Sequence, residues 1–226
     1  MTILFIGGTG KSATPLAHLL VQANKPVLLA TRSGKVPAPF TGALDATIDR
    51  IYRIAPRVVD MLPPMKAFID FAIKKGVKRF VLMSPALLEA GGPGMGLVHA
   101  YLASLQVEYC VLRPSSFFDN LALIYSDGIR ANDEILSAAE GGLIEYISTD
   151  DIVGVAFKAL VDDVIEDTQP IPVGPELFSY DQIARMLSEV LGREIKHKRL
   201  TVEEFAQCGG LNFALATGSF GMCEAE

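Results

Sequence analysis

Residues 2–13 read TILFIGGTGKSA, an apolar run that stops at a glycine cluster and passes straight into a helical pattern. Thr2 to Ile6 has the unbroken hydrophobicity of a strand buried on both faces. Gly7, Gly10 and Ala13 then give a GxxGxxA spacing. The first glycine permits a tight turn, the second lets backbone approach a pyrophosphate, and the small third residue lets helix and strand pack closely. Amide groups and the positive end of the helix receive phosphate oxygens. In this strand–turn–helix setting the pattern points to a bound dinucleotide. GGTGKS also resembles a P-loop, but that motif requires a glycine five positions before Gly10, where Phe5 stands. The P-loop reading fails at a defining residue.

Outward from this loop, short apolar runs alternate with helical patterns, which predicts an α/β fold with a parallel sheet. Strands are expected at Val27 to Thr31, Arg50 to Ile54, Arg79 to Met83 and Glu108 to Leu112, with a last one near Ile171 to Val173. Helices are expected from Thr14 to Ala23, Pro64 to Lys75 before Gly76, and the Gly91–Gly96 stretch to Leu105. Two more run from Thr149 or Asp150 to Leu160, and from the Ser179 cap to Leu191 before Gly192. Between Ser33 and Ile48 the chain is too short for the helix, strand and helix of a complete Rossmann half. The expected fold is a Rossmann-like doubly wound parallel sheet lacking the third strand of the usual 3-2-1-4-5-6 order, with a small C-terminal substrate lobe. Residues 1–160 would form the dinucleotide-binding domain, 161–207 the lobe, and 208–226 a loose tail.

Half of the 226 residues are hydrophobic and mean hydropathy is +0.34, yet no run is long enough to span a bilayer. The excess fits buried parallel strands. A net charge of −6 and a pI near 5.2 argue against nucleic acid as a partner. The basic residues Lys74, Lys75, Lys78 and Arg79 read as a helix end complementing its dipole. Cys110, Cys208 and Cys223 show no metal spacing, and Cys110 lies in an apolar strand as a buried thiol. With no secretory signal pattern at the N-terminus, a reducing cytoplasm is expected, and no metal.

Where an NAD-binding protein places an acid for the ribose hydroxyls, this sequence has Thr31, Arg32 and Ser33. The Arg32 fork suits a 2′-phosphate and Ser33 adds a hydroxyl, so the expected cofactor is NADP(H). With these residues in place, the chain resembles the NmrA-like branch of atypical short-chain dehydrogenases, and particularly the fungal festuclavine dehydrogenases of ergot alkaloid biosynthesis. GGTGKSA, IYRIAP, GVKRFVLMS, EAGGPGMGLVHAYL, VLRPSSFFDN, STDDIVGVAF and GPELFSYDQIARMLSEVLGR carry the resemblance, over roughly Met1 to Phe205. It implies NADP(H) contacts at Gly7, Thr9, Gly10, Lys11, Ser12, Arg32, Ser33, Ala55 and Pro56. It also implies that Ser84 and the stretch Pro114 to Phe117 border the nicotinamide. Two departures stand out: the segment after Ser33 is shorter than in the family, and the tail stops resembling it.

Typical short-chain dehydrogenases protonate an alkoxide with a Tyr-x-x-x-Lys pair, and the corresponding helix here, GPGMGLVHAYL, has none. Reduction of an iminium leaves a neutral amine and needs no acid at oxygen. His99 and Ser84 remain the candidate catalytic groups, His99 for its near-neutral pKa and Ser84 for its place at a strand's C-terminal end. A packed histidine and a turn-forming serine are the plainer alternatives. Phe118, Tyr125 and Tyr180, with Phe117, are candidates for an aromatic cage around a cationic, indole-derived substrate; core packing is the alternative for each. Asp150 and Asp151 read as a helix start, and Glu89 and Asp119 stay unplaced. The expected function is NADPH-dependent reduction of a C=N or conjugated C=C bond in fungal alkaloid metabolism, with redox-mediated cyclisation or isomerisation as a variant. The competing reading is a non-catalytic NADP sensor that binds a protein partner.

Overall fold

A computed structural model describes residues 1–7, 10–30, 47–54 and 60–207. Strand β1 (Thr2–Ile6) leads into helix α1 (Ala13–Gln22), followed by β2 (Val27–Ala30) and β3 (Ile48–Ile54). Helix α2 (Leu62–Lys74), β4 (Arg79–Met83), α3 (Met95–Ala103) and β5 (Glu108–Leu112) complete the first run. The five strands form one wholly parallel sheet in the order β2-β1-β3-β4-β5. This is the Rossmann order without its third strand: among the described residues nothing pairs outside β2, and residues 31–46 lie outside them.

Both faces of the sheet are covered, as the apolar strands require. Phe5, Tyr52, Val81, Cys110 and Leu112 pack with Leu16, Ala17 and Leu20 of α1 on one face. Ile51, Phe80, Leu82 and Val111 pack with Met65 and Ile69 of α2 and Val98 and Leu102 of α3 on the other. Each such side chain contributes about 1.5–3 kcal/mol when fully buried. Burial also pushes the Cys110 thiol up to about 12, so it is an inert core group.

After β5 the chain forms β6 (Ser116–Phe117), α4 (Asp119–Ile124), α5 (Ser126–Asn132), β7 (Glu134–Ser137) and β8 (Ile144–Ile147). Helix α6 (Thr149–Val161) follows, with Asp150 and Asp151 in its first turn, where negative charge suits the dipole. It packs beside α1 through Val153, Ala156 and Leu160. Two arginines close its other end. Arg79, only 1% exposed, donates from Nη1 to the carbonyls of Ala159 (3.1 Å) and Asp162 (2.5 Å) and from Nη2 to that of Asp163 (3.0 Å). Its Nε meets Glu108 at 2.6 Å, and Arg50 donates to the Leu160 carbonyl. Arg79 is therefore not a helix end complementing its dipole, as its neighbours suggested, but a buried side chain that caps carbonyls at and just beyond the end of α6.

No strand forms at Ile171 to Val173. The segment just before lies along the outer edge of β5, where Val111 N–H donates to Thr168 (2.8 Å) and Arg113 N–H to Pro170 (2.9 Å). Pro170 and Pro172 have no N–H to return, so the ladder stops.

The last elements are β9 (Leu177–Phe178), α7 (Tyr180–Leu191), β10 (Lys196–Arg199) and α8 (Val202–Gln207). Helix α7 starts with a capping box: Gln182 N–H donates to the Ser179 hydroxyl, and Ser179 N–H to the Gln182 side chain. The chain divides into two compact units. Of the described residues, the first comprises those in Met1–Pro114 and Thr149–Pro172; the second comprises Ser115–Ser148 and those from Val173 to Gln207. The second is thus built from two stretches, rather than from a lobe beginning at residue 161. Its core gathers Ile129, Ile135, Ile144, Tyr146, Tyr180, Ile183 and Ile195, roofing small sheets in the orders β6-β8-β9 and β10-β7. No helix among the described residues is long and apolar enough to cross a membrane, and none of their His, Cys, Asp and Glu groups could hold a metal.

Candidate functional site

The C-terminal ends of parallel strands are where ligands of open α/β sheets collect. At that edge β1 is followed by Gly7, whose φ of +82° lies in the region only glycine enters without strain. Gly10 N–H then turns back to the Gly7 carbonyl at 3.2 Å, and Thr14 N–H bonds the Gly10 carbonyl at 3.1 Å. Helix α1 therefore begins directly after the turn, which lies at the positive end of its dipole. Gly7 and Lys11 are exposed and Gly10 is half-buried, whereas Ser12 is buried with its hydroxyl 3.1 Å from Tyr52 Oη. The predicted contacts Thr9, Arg32, Ser33, Ala55 and Pro56 lie outside the described residues, as do Cys208, Cys223 and the expected tail.

Ser84 follows β4 directly. Its N–H bonds the Leu112 carbonyl at 2.8 Å, and its buried hydroxyl has no hydrogen-bond partner among the described residues. An orphaned buried hydroxyl at the ligand edge of a sheet is costly unless something else supplies a partner. Two strands' ends are tied here by Arg113, 6% exposed, whose Nε and Nη2 both donate to the Ala86 carbonyl at 2.9 and 2.6 Å. The sequence shows Arg113 only as a residue that stops a strand; its clamp on the loop after Ser84 appears only in the fold. Pro114, next in line, is buried.

His99 sits on the inner side of α3, 2% exposed, edge-on to Tyr109 at 6.0 Å. Burial first, and the Arg113 charge second, hold its pKa below the usual histidine value, so the ring is neutral near pH 7. Its buried Nδ1 has no partner among the described residues. The expected reactive histidine is thus walled into the first unit's core.

In the second unit, Phe118 stacks on Tyr146 (5.2 Å) and meets Phe178 edge-on (5.9 Å). Tyr125 donates its hydroxyl to Tyr180 at 2.9 Å, and Tyr180 stacks on His197 at 5.4 Å. Tyr180 is buried, while Phe117, Phe118 and Tyr125 keep partial exposure. Burial raises the Tyr125 and Tyr146 pKa values, so both phenols stay protonated and serve as apolar walls with a polar tip.

The same unit holds a Ser–His–Asp chain: Ser137 Oγ lies 2.8 Å from His197 Nε2, and His197 Nδ1 lies 2.8 Å from Asp181. The hydrogen bonds match a hydrolytic triad. Ser137 is 1% exposed, which bars an acyl group from its hydroxyl, and the chain ties β7 and β10 to α7. His197 and Arg199 hold the Asp181 carboxyl below the usual range.

The chain is similar in sequence to several fungal proteins and in fold to several solved structures. Agroclavine dehydrogenase of Claviceps fusiformis is 40% identical over 228 residues, covering 91% of this chain and 79% of the relative. Festuclavine synthase II of Penicillium roqueforti is 40% identical over 92% of the chain and 80% of its own length. Festuclavine dehydrogenase of Aspergillus fumigatus is 37% identical over 92% and 79%. No family model matches the chain. Among solved structures, a nucleoside-diphosphate-sugar epimerase of Staphylococcus aureus has a TM-score of 0.81 at 19% identity, over 100% of this chain and 92% of that one. Citrobacter sp. triphenylmethane reductase, solved with NADP(H), has 0.67 at 18%, over 97% and 87%. These structures share the Rossmann-like fold.

Proposed function

Because this chain belongs to the family of the fungal agroclavine and festuclavine dehydrogenases, we propose that it is an NADPH-dependent reductase of a cyclic iminium, or of a conjugated C=C bond, in an alkaloid. The observation that carries the reading is 40% identity over nine-tenths of the chain, together with the phosphate turn at Gly7. The residues present fit NADP(H): a strand–turn–helix with the positive end of α1 at a glycine turn, and a buried Ser84 hydroxyl with no partner among the described residues at the sheet's ligand edge.

Gly7, Thr9, Gly10, Lys11 and Ser12 would cradle the pyrophosphate, Arg32 and Ser33 the 2′-phosphate, and Ala55 and Pro56 the adenosine half. Ser84, Pro114 and Phe117 would border the nicotinamide. When bound, NADPH supplies the hydride. Phe118 and Tyr125, supported from behind by Tyr180, would present ring surface to a cationic substrate and exclude water. An iminium carbon that gains hydride becomes a neutral amine, so no protein proton is consumed. That is compatible with a neutral, enclosed His99 and with phenols whose pKa values are raised. Ser84 then acts by orienting the ring, not by donating a proton.

The test is NADPH fluorescence on titration into wild type and Arg32→Ala, followed by NADPH consumption with a panel of cyclic iminium indole alkaloids. The expected results are binding weakened at least ten-fold by the substitution, and turnover with at least one iminium. Absence of NADPH binding by wild type overturns the proposal.

A further inference from the structure

Tyr52 is a large polar side chain at the centre of the first unit's core, 0% exposed, with its ring 5.0 Å from Phe5. A buried phenol needs a partner for its hydroxyl, and here that partner is Ser12, forty residues away in sequence. Ser12 occupies the N-cap of α1, where a serine normally accepts from the second or third helical amide. Both are closed to it: Thr14 N–H is bonded to Gly10, and Pro15, the third residue of the helix, has no N–H. The Ser12 side chain makes no cap bond. Its hydroxyl instead reaches inward to Tyr52, tying the start of α1 to strand β3.

We infer that Tyr52 is a positioning residue for the phosphate-binding turn, fixing Ser12, where the turn enters α1, through the Ser12 hydroxyl. This rests on the dinucleotide reading above. Within the turn, Gly10 N–H bonds the Gly7 carbonyl at 3.2 Å. The Tyr52–Ser12 link adds an anchor from the sheet, and a loop already ordered binds without the cost of ordering. Burial lifts the Tyr52 pKa to about 12, so the phenol keeps its proton and the link persists across any working pH.

Because the pyrophosphate is common to both nicotinamide dinucleotides, the role has a distinctive signature. Titration calorimetry of NADPH and of NADH into wild type, Tyr52→Phe, Ser12→Ala and the double variant reads it, with unliganded melting temperatures recorded alongside. Tyr52→Phe is expected to weaken both dinucleotides by the same factor, about three- to ten-fold for one lost hydrogen bond. Ser12→Ala should add little in the Tyr52→Phe background. Wild-type affinity in Tyr52→Phe, whatever its melting temperature, overturns the inference and leaves Tyr52 a core residue. So does a loss confined to NADPH, or a loss seen only in Ser12→Ala. A wild type that binds neither dinucleotide refutes the cofactor reading, and the role of Tyr52 falls with it.

Discussion

Replacing Arg79 with methionine keeps most of the side chain's volume and removes its donors. The structure sets the size of the effect. Three carbonyls at the end of α6, those of Ala159, Asp162 and Asp163, lose a charged partner. The Ala159 carbonyl bond is buried and has no access to water, which costs about 1–3 kcal/mol; the other two are part-buried and recover some hydration, at about 0.5–1.5 kcal/mol each. Glu108, 54% exposed, simply rehydrates. Because such bonds do not add fully, the expected loss is about 2–4 kcal/mol, or roughly 4–16 °C in Tm for a protein of this length. Thermal and urea unfolding followed by circular dichroism measures it. Glu108→Gln should cost less than about 1 kcal/mol, as exposed ion pairs do. The reasoning is refuted if Arg79→Met melts within about 2 °C of wild type, or if Glu108→Gln is equally damaging.

Further outcomes follow from the same contacts. A Cβ on Gly174 would run into the Tyr146 carbonyl oxygen, so Gly174→Ala should destabilise the second unit by about 1–3 kcal/mol, visible as faster limited proteolysis there. His99 has a lowered folded pKa, so its stabilising contribution is complete above the unfolded value near 6.5 and is lost as pH falls through that value toward the folded one. Urea midpoints measured from pH 8 down to 5 should decline, and His99→Gln should flatten the decline. Ser84→Ala should lower kcat by no more than about ten-fold with no shift of the pH–rate profile, since the serine orients and does not donate; a profile displaced by a full unit would argue for proton transfer.

Much of the first unit is legible because its signals are local. TILFIGGTGKSA carries strand, turn and helix start within a dozen residues, and in RFVLM and EYCVL a single charged residue leads an otherwise apolar strand. Ser179 and Gly192 bracket α7 at the ends the structure finds. The second unit is less readable. Its strands β6 and β9 are two residues long, and α4 and α5 are short and contain Asp, Asn and Gly, so no period develops. Ile171 to Val173 looks like a strand by composition, but the flanking prolines remove the donors a ladder needs. Arg79 misleads because Lys74, Lys75 and Lys78 surround it with charge. Its period-two relation to Val81 and Met83 is the signal that puts it on the α6 face of the sheet. The Tyr52–Ser12 and Arg113–Ala86 contacts join residues far apart in sequence, and no local pattern encodes them.

The central claim, hydride delivery to an electron-poor carbon of an alkaloid, is tested most directly by isotope transfer. NADPH deuterated on the transferring face of its nicotinamide is incubated with the protein and a cyclic iminium indole alkaloid, and the amine product is examined by mass spectrometry and NMR. The account predicts one deuterium on the former iminium carbon for each NADPH consumed. A product without deuterium at that carbon, or NADPH that is bound but never consumed across the iminium panel, contradicts it.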